Sequence, residues 1–245
     1  MSDMGIPEVV RHSPRKDQAI VAFDFDGTLT VRDSFTDFLR WRVGTGGWFM
    51  GLARMAPDLA AYAGHRDRGR LKAASVKEFL RGVPRVQLEE DAESFAGQVW
   101  PGFMRYDALA CWKDWGARGA WRVIVTASPE TTVAPFARRL GAEALLGTPL
   151  AFDADQRVTG AFTGPNCRGE EKVRRLRAAF GKDMKLAAAY GDTTGDTEML
   201  AMAEEAGFRA CLRCRPETAP DMGAWRGTSN TVSLALALIE AGALD

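Results

Sequence analysis

A chain of 245 residues is long enough for one large domain, or for a core with a smaller inserted domain. Its 32 basic and 32 acidic residues cancel, so the protein has no overall field that would favour nucleic acid as a partner. Four cysteines in a chain of this length do not predict a disulfide framework and fit a reducing compartment. We therefore expect a cytoplasmic protein with no nucleic-acid partner, and no obligate protein partner is indicated.

The first eighteen residues are polar and lack the apolar segment of a secretory signal. We predict a disordered arm over residues 1–18. The short apolar run from Ala19 to Phe23 then predicts a fully buried strand, of the kind found in parallel sheets.

Two acidic residues, Asp24 and Asp26, follow this strand directly. In open α/β sheets, ligands bind beyond the carboxyl ends of the strands, so both side chains are expected to meet a ligand there. Gly27 permits a sharp turn. A plain Asp-Gly turn is the common alternative, but the longer pattern AIVAFDFDGTLT is far more specific.

The stretch 35–101 has helical periodicity and no buried-strand pattern. Asp33 or Ser34 can cap its first helix. A helical block between the first two strands of a parallel sheet indicates an inserted cap. We therefore predict a core of residues 19–34 and 102–245, and a helical cap of residues 35–101.

Within the cap, residues 46–63 carry an apolar face at helical spacing. The face consists of Trp48, Leu52, Met55, Leu59 and Tyr62. The segment is too short and too polar for a confident membrane span, and basic residues flank it on both sides. Two compatible interpretations stay open: the segment packs on the other cap helices, or it rests on an anionic membrane surface.

The second buried strand, predicted over residues 121–126, leads into TASPE at residues 126–130. A helix N-terminus with hydroxyl groups beside it is a natural phosphate site. A plain Ser-Pro helix cap is the alternative, and the two roles can coexist.

Further along, residues 144–162 alternate as short strands do, with a hairpin turn at 153–156. A loop then leads into a helix beginning near Glu170, which places Lys172 in the first turn. Because the helix dipole disfavours a cation there, Lys172 hints at an anionic partner, although a solvated lysine is the commoner explanation.

A third core strand, predicted over 185–190, ends in GDTTGD. Its Asp192 and Asp196 lie across a tight turn, which suits a hard cation such as Mg²⁺. A last strand is predicted over 208–212 and a terminal helix over 232–239. The nearby CxxC pair, Cys211 and Cys214, lacks the further ligands that a zinc site requires.

Taken together, AIVAFDFDGTLT, TASPE, the lysine loop NCRGEEK and YGDTTGD resemble the four motifs of the haloacid dehalogenase (HAD) superfamily, in the same order. The resemblance spans residues 19–200. It implies an α/β fold, with a Rossmann-like core whose parallel sheet is flanked by helices and a helical cap inserted after the first strand.

The resemblance also implies a mechanism. Asp24 would attack phosphorus to give an aspartyl-phosphate. Asp26 would protonate the leaving group and then activate water. Asp24, the carbonyl oxygen of Asp26, and Asp192 would bind Mg²⁺.

The remaining site residues follow by their positions in the motifs. The resemblance assigns phosphate binding to Thr126, Ala127 and Lys172, and supporting roles to Gly27, Thr28 and Asp196. Asp196 would either hold a water at the metal or orient Lys172.

The helical insert resembles the phosphoserine-phosphatase-like branch (subfamily IB) of the superfamily. Three parts of the sequence depart from that branch: Asp33 stands in place of glutamate, Thr126-Ala127-Ser128 in place of Ser-Gly-Gly, and Gly195 in place of asparagine. The lysine loop and the Trp-containing cap resemble the bacterial phosphatidylglycerophosphatase C-like group. That likeness implies a Mg²⁺-dependent phosphomonoesterase of a lipid phosphate such as phosphatidylglycerophosphate, peripheral at the inner face of the membrane.

Two other functions remain open. One is the same chemistry on a small soluble phosphomonoester, as in phosphoserine hydrolysis. The other is a non-catalytic phosphate-binding scaffold, which would be expected to lack a motif acid. All four motif acids are present: Asp24, Asp26, Asp192 and Asp196.

Overall fold

The computed structural model describes residues 14–15, 17–65, 67–100 and 102–208. The predicted N-terminal arm lies almost wholly outside these residues. Cys211, Cys214 and the predicted helix over 232–239 also lie outside them.

The strands follow the order expected for an α/β chain. They are β1 (Ile20–Phe23), β2 (Trp121–Pro129), β3 (Ala144–Thr148), β4 (Leu150–Phe152), β5 (Val158–Phe162), β6 (Leu186–Gly191) and β7 (Ala203–Phe208).

Helices occupy most of the intervening sequence. They are α1 (Ser34–Arg54), α2 (Ala56–His65), α3 (Arg68–Leu80), α4 (Arg85–Val99), α5 (Tyr106–Ala117), α6 (Glu130–Leu140), α7 (Glu170–Phe180) and α8 (Thr197–Ala201), with a 3₁₀ turn at Thr194–Asp196.

In the described part of the chain, five parallel strands form the main sheet, in the order β3-β2-β1-β6-β7. The central strand, β1, is buried along its whole length. Successive residues of a strand point to opposite faces, and here Val21 and Phe23 enter one apolar cluster while Ile20 and Ala22 enter another. Both faces are therefore covered, which explains the uninterrupted apolar run, and the chain has the expected parallel α/β fold.

The helices α1 to α4 connect the first strand to the rest of the sheet, and their interior is continuous with the core. Phe23 and Phe25 belong to the same apolar cluster as Trp48 and Phe79. The Trp48 and Phe79 rings stack with centroids 5.1 Å apart. The cap and the core thus share one apolar interior.

Four of the five residues of the apolar face of residues 46–63 are packed inside the protein. Trp48, Leu52, Met55 and Leu59 are each at most 9% exposed, whereas Tyr62 is half-buried. These four side chains therefore pack against the protein and do not offer a surface to lipid. The adjoining Phe49 and Met50 are 41% and 57% exposed and form a different surface.

One strand of the sheet is not predicted from the sequence. The structure places β7 at Ala203–Phe208, and the strand predicted over 208–212 lies, apart from residue 208, outside the described residues. At the edge of a sheet one side of the strand faces water, so the sequence AEEAGF forms a strand without an apolar run. Because Glu204 and Glu205 interrupt the apolar pattern, the sequence does not predict a buried strand here.

The hairpin turn at 153–156 is confirmed. The antiparallel pair β4 and β5 flanks it, and the Asp153 carboxylate accepts hydrogen bonds from the backbone N–H groups of Asp155 and Arg157. Among the described residues, no helix is both long enough and apolar enough to cross a bilayer.

Candidate active site

The carboxyl ends of β1, β2 and β6 bring the motif residues together around one buried lysine. Lys172, in the first turn of α7, is only 1% exposed. Its Nζ donates to Asp24 Oδ1 at 2.6 Å, to Asp196 Oδ1 at 2.7 Å and to the Val125 carbonyl oxygen at 2.6 Å. One ammonium group therefore joins all three strand ends.

Backbone contacts also link the lysine loop to the end of β6. Gly169, the residue before α7, adopts a φ of 60° and donates its N–H to the carbonyl oxygen of Gly195 at 2.8 Å. This bond draws the start of α7 against the turn that carries Asp196. The chain geometry, and not only the ion pairs, therefore sets the position of Lys172.

Asp192 lies directly against the turn that follows β1. Gly27 there has a φ of 80°, and a Cβ atom at this position would come within 2.4 Å of Asp192 Oδ2. Any other residue would be strained by the backbone angle and would push the carboxylate away. Gly27 thus allows the carboxylates from β1 and β6 to approach each other.

Three carboxylates converge at this edge. Oxygen atoms of Asp24, Asp192 and Asp196 all lie within 4.8 Å of one another. Oxygen donors alone, with three negative charges against the single charge of Lys172, fit a hard divalent cation such as Mg²⁺. The donor set does not resemble the nitrogen and sulfur ligands of a zinc site.

The hydrogen bonds of Asp196 distinguish it from the other two acids. Besides accepting from Lys172, its carboxylate accepts from the N–H and the hydroxyl of Thr193, at 3.0 and 3.1 Å. Burial opposes its ionisation, but Lys172 and the hydrogen bonds from Thr193 together outweigh burial, and the pKa of Asp196 is lowered. Its contacts match the lysine-orienting role that the resemblance implies.

Burial and charge act in opposite directions on the two ends of the central ion pair. Burial raises the pKa of Asp24, and the neighbouring Asp196 and Asp192 carboxylates add to the effect, while Lys172 opposes it. For Lys172, burial lowers the pKa, but Asp24 and Asp196 outweigh it and the pKa is raised. The lysine therefore stays cationic beside the predicted nucleophile.

The TASPE segment lies beside this cluster at the end of β2. Thr126 is buried, and its Oγ1 accepts the N–H of Ser128 at 3.0 Å. The carbonyl oxygen of Ala127 is held by two donors, because it accepts from Lys72 Nζ at 3.1 Å and from the Thr148 hydroxyl at 3.0 Å. Binding of a phosphoryl group here would use the Thr126 hydroxyl and backbone N–H groups.

Ser128 is a site residue that the sequence analysis does not assign. Its hydroxyl donates to Asp26 Oδ2 at 2.5 Å, and the Ser34 N–H donates to Asp26 Oδ1 at 2.7 Å. Burial raises the pKa of Asp26, and Asp33 raises it further. A carboxyl group that retains its proton more readily suits the predicted role of acid. The signal in the sequence is the serine that replaces glycine at this position.

Thr28 and Asp33 have local roles that the structure makes plain. The Thr28 hydroxyl donates to Asp24 Oδ2 at 3.3 Å, next to the predicted nucleophile. Asp33 caps α1, because its Oδ1 accepts the Thr36 N–H at 2.7 Å. Of the two residues that the sequence predicts as possible caps, Asp33 and Ser34, Asp33 is the cap.

A cleft of about 130 Å³ opens between this edge and the cap helices. Its cap side is lined by aromatic and aliphatic side chains together with two cations. These are Phe35, Leu39, Trp48, Tyr62 and Leu71, with Arg68 and Lys72.

Comparison with known proteins places the chain in a family. The family model of haloacid dehalogenase-like hydrolases matches residues 21–201. Protein CicA of Caulobacter vibrioides is 56% identical over 190 residues, which cover 78% of this chain and 85% of CicA. A phosphoserine phosphatase of Halobacterium salinarum is 31% identical over 196 residues, covering 75% of this chain and 82% of that enzyme.

A solved structure agrees on the fold. A protein of unknown function from Bordetella pertussis Tohama I superposes with a TM-score of 0.65 at 21% identity, covering 92% of this chain and 96% of that one. From its family match and its relatives, the chain belongs to the haloacid dehalogenase-like hydrolases and is a phosphatase of the phosphoserine-phosphatase-like type.

Proposed function

We propose that the protein is a Mg²⁺-dependent phosphomonoesterase that works through an aspartyl-phosphate on Asp24. The observation that carries the proposal is the buried Lys172 ammonium, which contacts Asp24 at 2.6 Å and Asp196 at 2.7 Å beside a third carboxylate. A phosphate dianion and a carboxylate nucleophile repel each other, so the reaction needs fixed positive charge at this point.

The proposed metal ligands are Asp24, the carbonyl oxygen of Asp26, and Asp192. When bound there, Mg²⁺ would neutralise charge on the phosphoryl oxygens. The remaining positive charge comes from Lys172, and the Thr126 hydroxyl with the backbone N–H of Ala127 would bind the phosphoryl group.

In the first step, a carboxylate oxygen of Asp24 forms a bond to phosphorus while the bond to the leaving oxygen breaks. The leaving oxygen takes the electron pair of that bond and receives the proton of Asp26. In the second step, a water oxygen forms a bond to phosphorus while Asp26 takes a proton from that water, and the bond between phosphorus and the Asp24 oxygen breaks, which leaves inorganic phosphate and the Asp24 carboxylate.

For the substrate, we propose a lipid phosphate such as phosphatidylglycerophosphate. Two features of the cleft support this choice. Aromatic and aliphatic side chains of α1 to α3 line the cap side, where the leaving group would lie, and Arg68 and Lys72 add cations that suit an anionic leaving group. The enzyme would then work at the inner surface of the membrane.

A small soluble phosphomonoester is the second candidate. It is supported by the burial of Trp48, Leu52, Met55 and Leu59, whose side chains pack inside the protein, and by a relative that is a phosphoserine phosphatase. Against phosphoserine itself, Asp33 stands where that branch has glutamate, and its carboxylate is engaged in capping α1.

Phosphate release separates the two candidates. Purified protein is given Mg²⁺ and either phosphatidylglycerophosphate in mixed micelles or phosphoserine, with Asp24→Asn as the blank and excess EDTA as the metal-free control. The proposal predicts Mg²⁺-dependent release with preference for the lipid. Turnover of phosphoserine alone would support the phosphatase mechanism and refute the lipid substrate. Turnover in excess EDTA would refute the proposed dependence on Mg²⁺.

A further inference from the structure

The orientation of Asp26 is set by donors from two separate parts of the chain. Ser34, the first residue of α1, donates its N–H to Oδ1, and Ser128, at the junction of β2 and α6, donates its hydroxyl to Oδ2. Each carboxyl oxygen therefore has a fixed partner.

A third residue, Lys72 on helix α3, acts on one of these donors. Its Nζ lies 3.1 Å from the Ala127 carbonyl oxygen and 3.5 Å from Ser128 Oγ. An ammonium group can only donate, whereas a serine hydroxyl has one hydrogen and two lone pairs. With Lys72 directed at the oxygen of Ser128, the hydrogen of that hydroxyl is left for Asp26.

We propose that Ser128 and Lys72 are positioning residues that hold Asp26 in the orientation from which it protonates the leaving group. The inference rests on the proposed function, because it concerns the acid of that reaction. It also gives the cap a part in the chemistry. Lys72 reaches Ser128 only while α3 lies against the end of β2, so the placement of Asp26 depends on the cap.

Burial argues against the simpler idea that Ser128 binds the phosphoryl group. Ser128 is fully buried, and its hydroxyl already donates to Asp26 and accepts from Lys72. Glycine, the usual residue here in the phosphoserine-phosphatase-like branch, has no hydroxyl and could not make either contact. The arrangement is therefore a feature of this chain's own sequence.

Leaving groups of different basicity isolate this role. An alkoxide needs the Asp26 proton as its bond to phosphorus breaks, whereas p-nitrophenolate is stable without one. The value of kcat/KM covers steps up to departure of the leaving group. We would compare kcat/KM for glycerol 2-phosphate and for p-nitrophenyl phosphate in Ser128→Ala and Lys72→Met, with the exposed-site variants Ser94→Ala and Lys77→Met as controls.

General acid catalysis contributes about 10²–10⁴-fold, so we expect loss of positioning to cost a part of that. For Ser128→Ala, kcat/KM for the alkyl phosphate should fall about 10- to 100-fold, and that for the aryl phosphate less than about 3-fold. Lys72→Met should act in the same direction with a smaller effect. In the two variants, hydrolysis of the aryl phosphate should also show a burst of p-nitrophenolate. The leaving group departs at the usual rate, whereas the second step, in which Asp26 activates water, is slowed.

Equal losses with both substrates would overturn the inference, since they would mark Ser128 or Lys72 as a phosphoryl ligand. Unchanged values with both would overturn it as well. The ratio of the two kcat/KM values does not depend on the fraction of protein that is folded, so a poorly folding variant still gives an answer. A wild-type protein that hydrolyses neither substrate would instead refute the proposed function.

Discussion

The catalytic edge of the sheet and the interior of the cap are both buried, yet they are organised by different forces. At the edge, Lys172 is fixed by three hydrogen bonds, to Asp24 after β1, to the Val125 carbonyl oxygen in β2 and to Asp196 after β6. In the cap, Trp48 is held by stacking on Phe79 and by close packing around Gly51. The first region depends on matched charges and the second on shape. Changes at the edge should therefore alter catalysis and, where a buried charge loses its partner, stability as well, whereas packing changes inside the cap should alter stability alone.

Replacing the predicted nucleophile tests this difference most strongly. Asp24→Asn removes the attacking oxygen but keeps the size of the side chain. We expect phosphatase activity to fall by about 10⁴-fold or more, because nucleophile deletions cost this much in comparable covalent mechanisms. Phosphate release measures it, and Asp155→Asn, in the exposed hairpin turn, is the matched control. Retention of more than one-tenth of the activity would contradict the assignment of Asp24.

Removing the central cation should destabilise the edge. Lys172→Met leaves Asp24 and Asp196 buried without their shared partner, so the free energy of unfolding should drop by about 3–5 kcal/mol. Urea unfolding in EDTA at neutral pH measures the drop, and Lys182→Met, at an exposed lysine, is the control. Added Mg²⁺ should reduce the difference, since it replaces part of the lost charge. An unchanged unfolding free energy would show that the lysine does not stabilise the edge.

Crowding the interior of the cap should lower stability and leave catalysis unchanged. A Cβ atom on Gly51 would come within 2.1 Å of Phe79 Cε1. Gly51→Ala should therefore lower the free energy of unfolding by about 1–3 kcal/mol, while kcat/KM for p-nitrophenyl phosphate stays within about twofold. Gly46 lies in the same helix, and no atom lies within 4 Å of the position that its Cβ would take. The Gly46→Ala variant should therefore be no less stable to unfolding than the wild type. If the two variants unfold alike, tight packing does not organise the cap.

The smallest expected effect concerns the outer surface of the cap. If this surface meets anionic lipid, Phe49→Ser with Met50→Ser should weaken co-sedimentation with anionic vesicles by about tenfold. Trp48 is unsuitable for this test, because its removal would open a cavity in the core. Vesicle binding that is absent in the wild type, or equal in both proteins, would exclude this surface as the lipid contact.

Sequence reasoning predicts the catalytic edge well because the carboxyl ends of parallel strands must meet. Asp24, Asp192 and Asp196 therefore converge as expected, and Lys172 could be placed from the helix that follows its loop. The contact of Ser128 with Asp26 joins residues 102 positions apart, so no local pattern reveals it. The only sign of this contact in the sequence is that Ser128 stands where the phosphoserine-phosphatase-like branch usually has glycine.

The cap is harder to predict from sequence. A helical apolar stripe such as Trp48 to Tyr62 is equally compatible with a packed interior and with a membrane surface, because both bury it. The basic residues near this stripe are also ambiguous in the sequence. Lys72 could be a residue that attracts anionic lipid, but in the structure its ammonium group contacts the end of β2. Only the tertiary structure shows which groups these side chains contact.

The central claim is that Asp24 carries the phosphoryl group during turnover. Acid quenching of the enzyme during hydrolysis of a radiolabelled phosphomonoester with Mg²⁺, followed by proteolysis and mass spectrometry, tests it directly. We expect an acid-stable label on the peptide that contains Asp24, absent from Asp24→Asn. Full turnover with no label on Asp24, or a label on another residue such as Ser128, would contradict the mechanism.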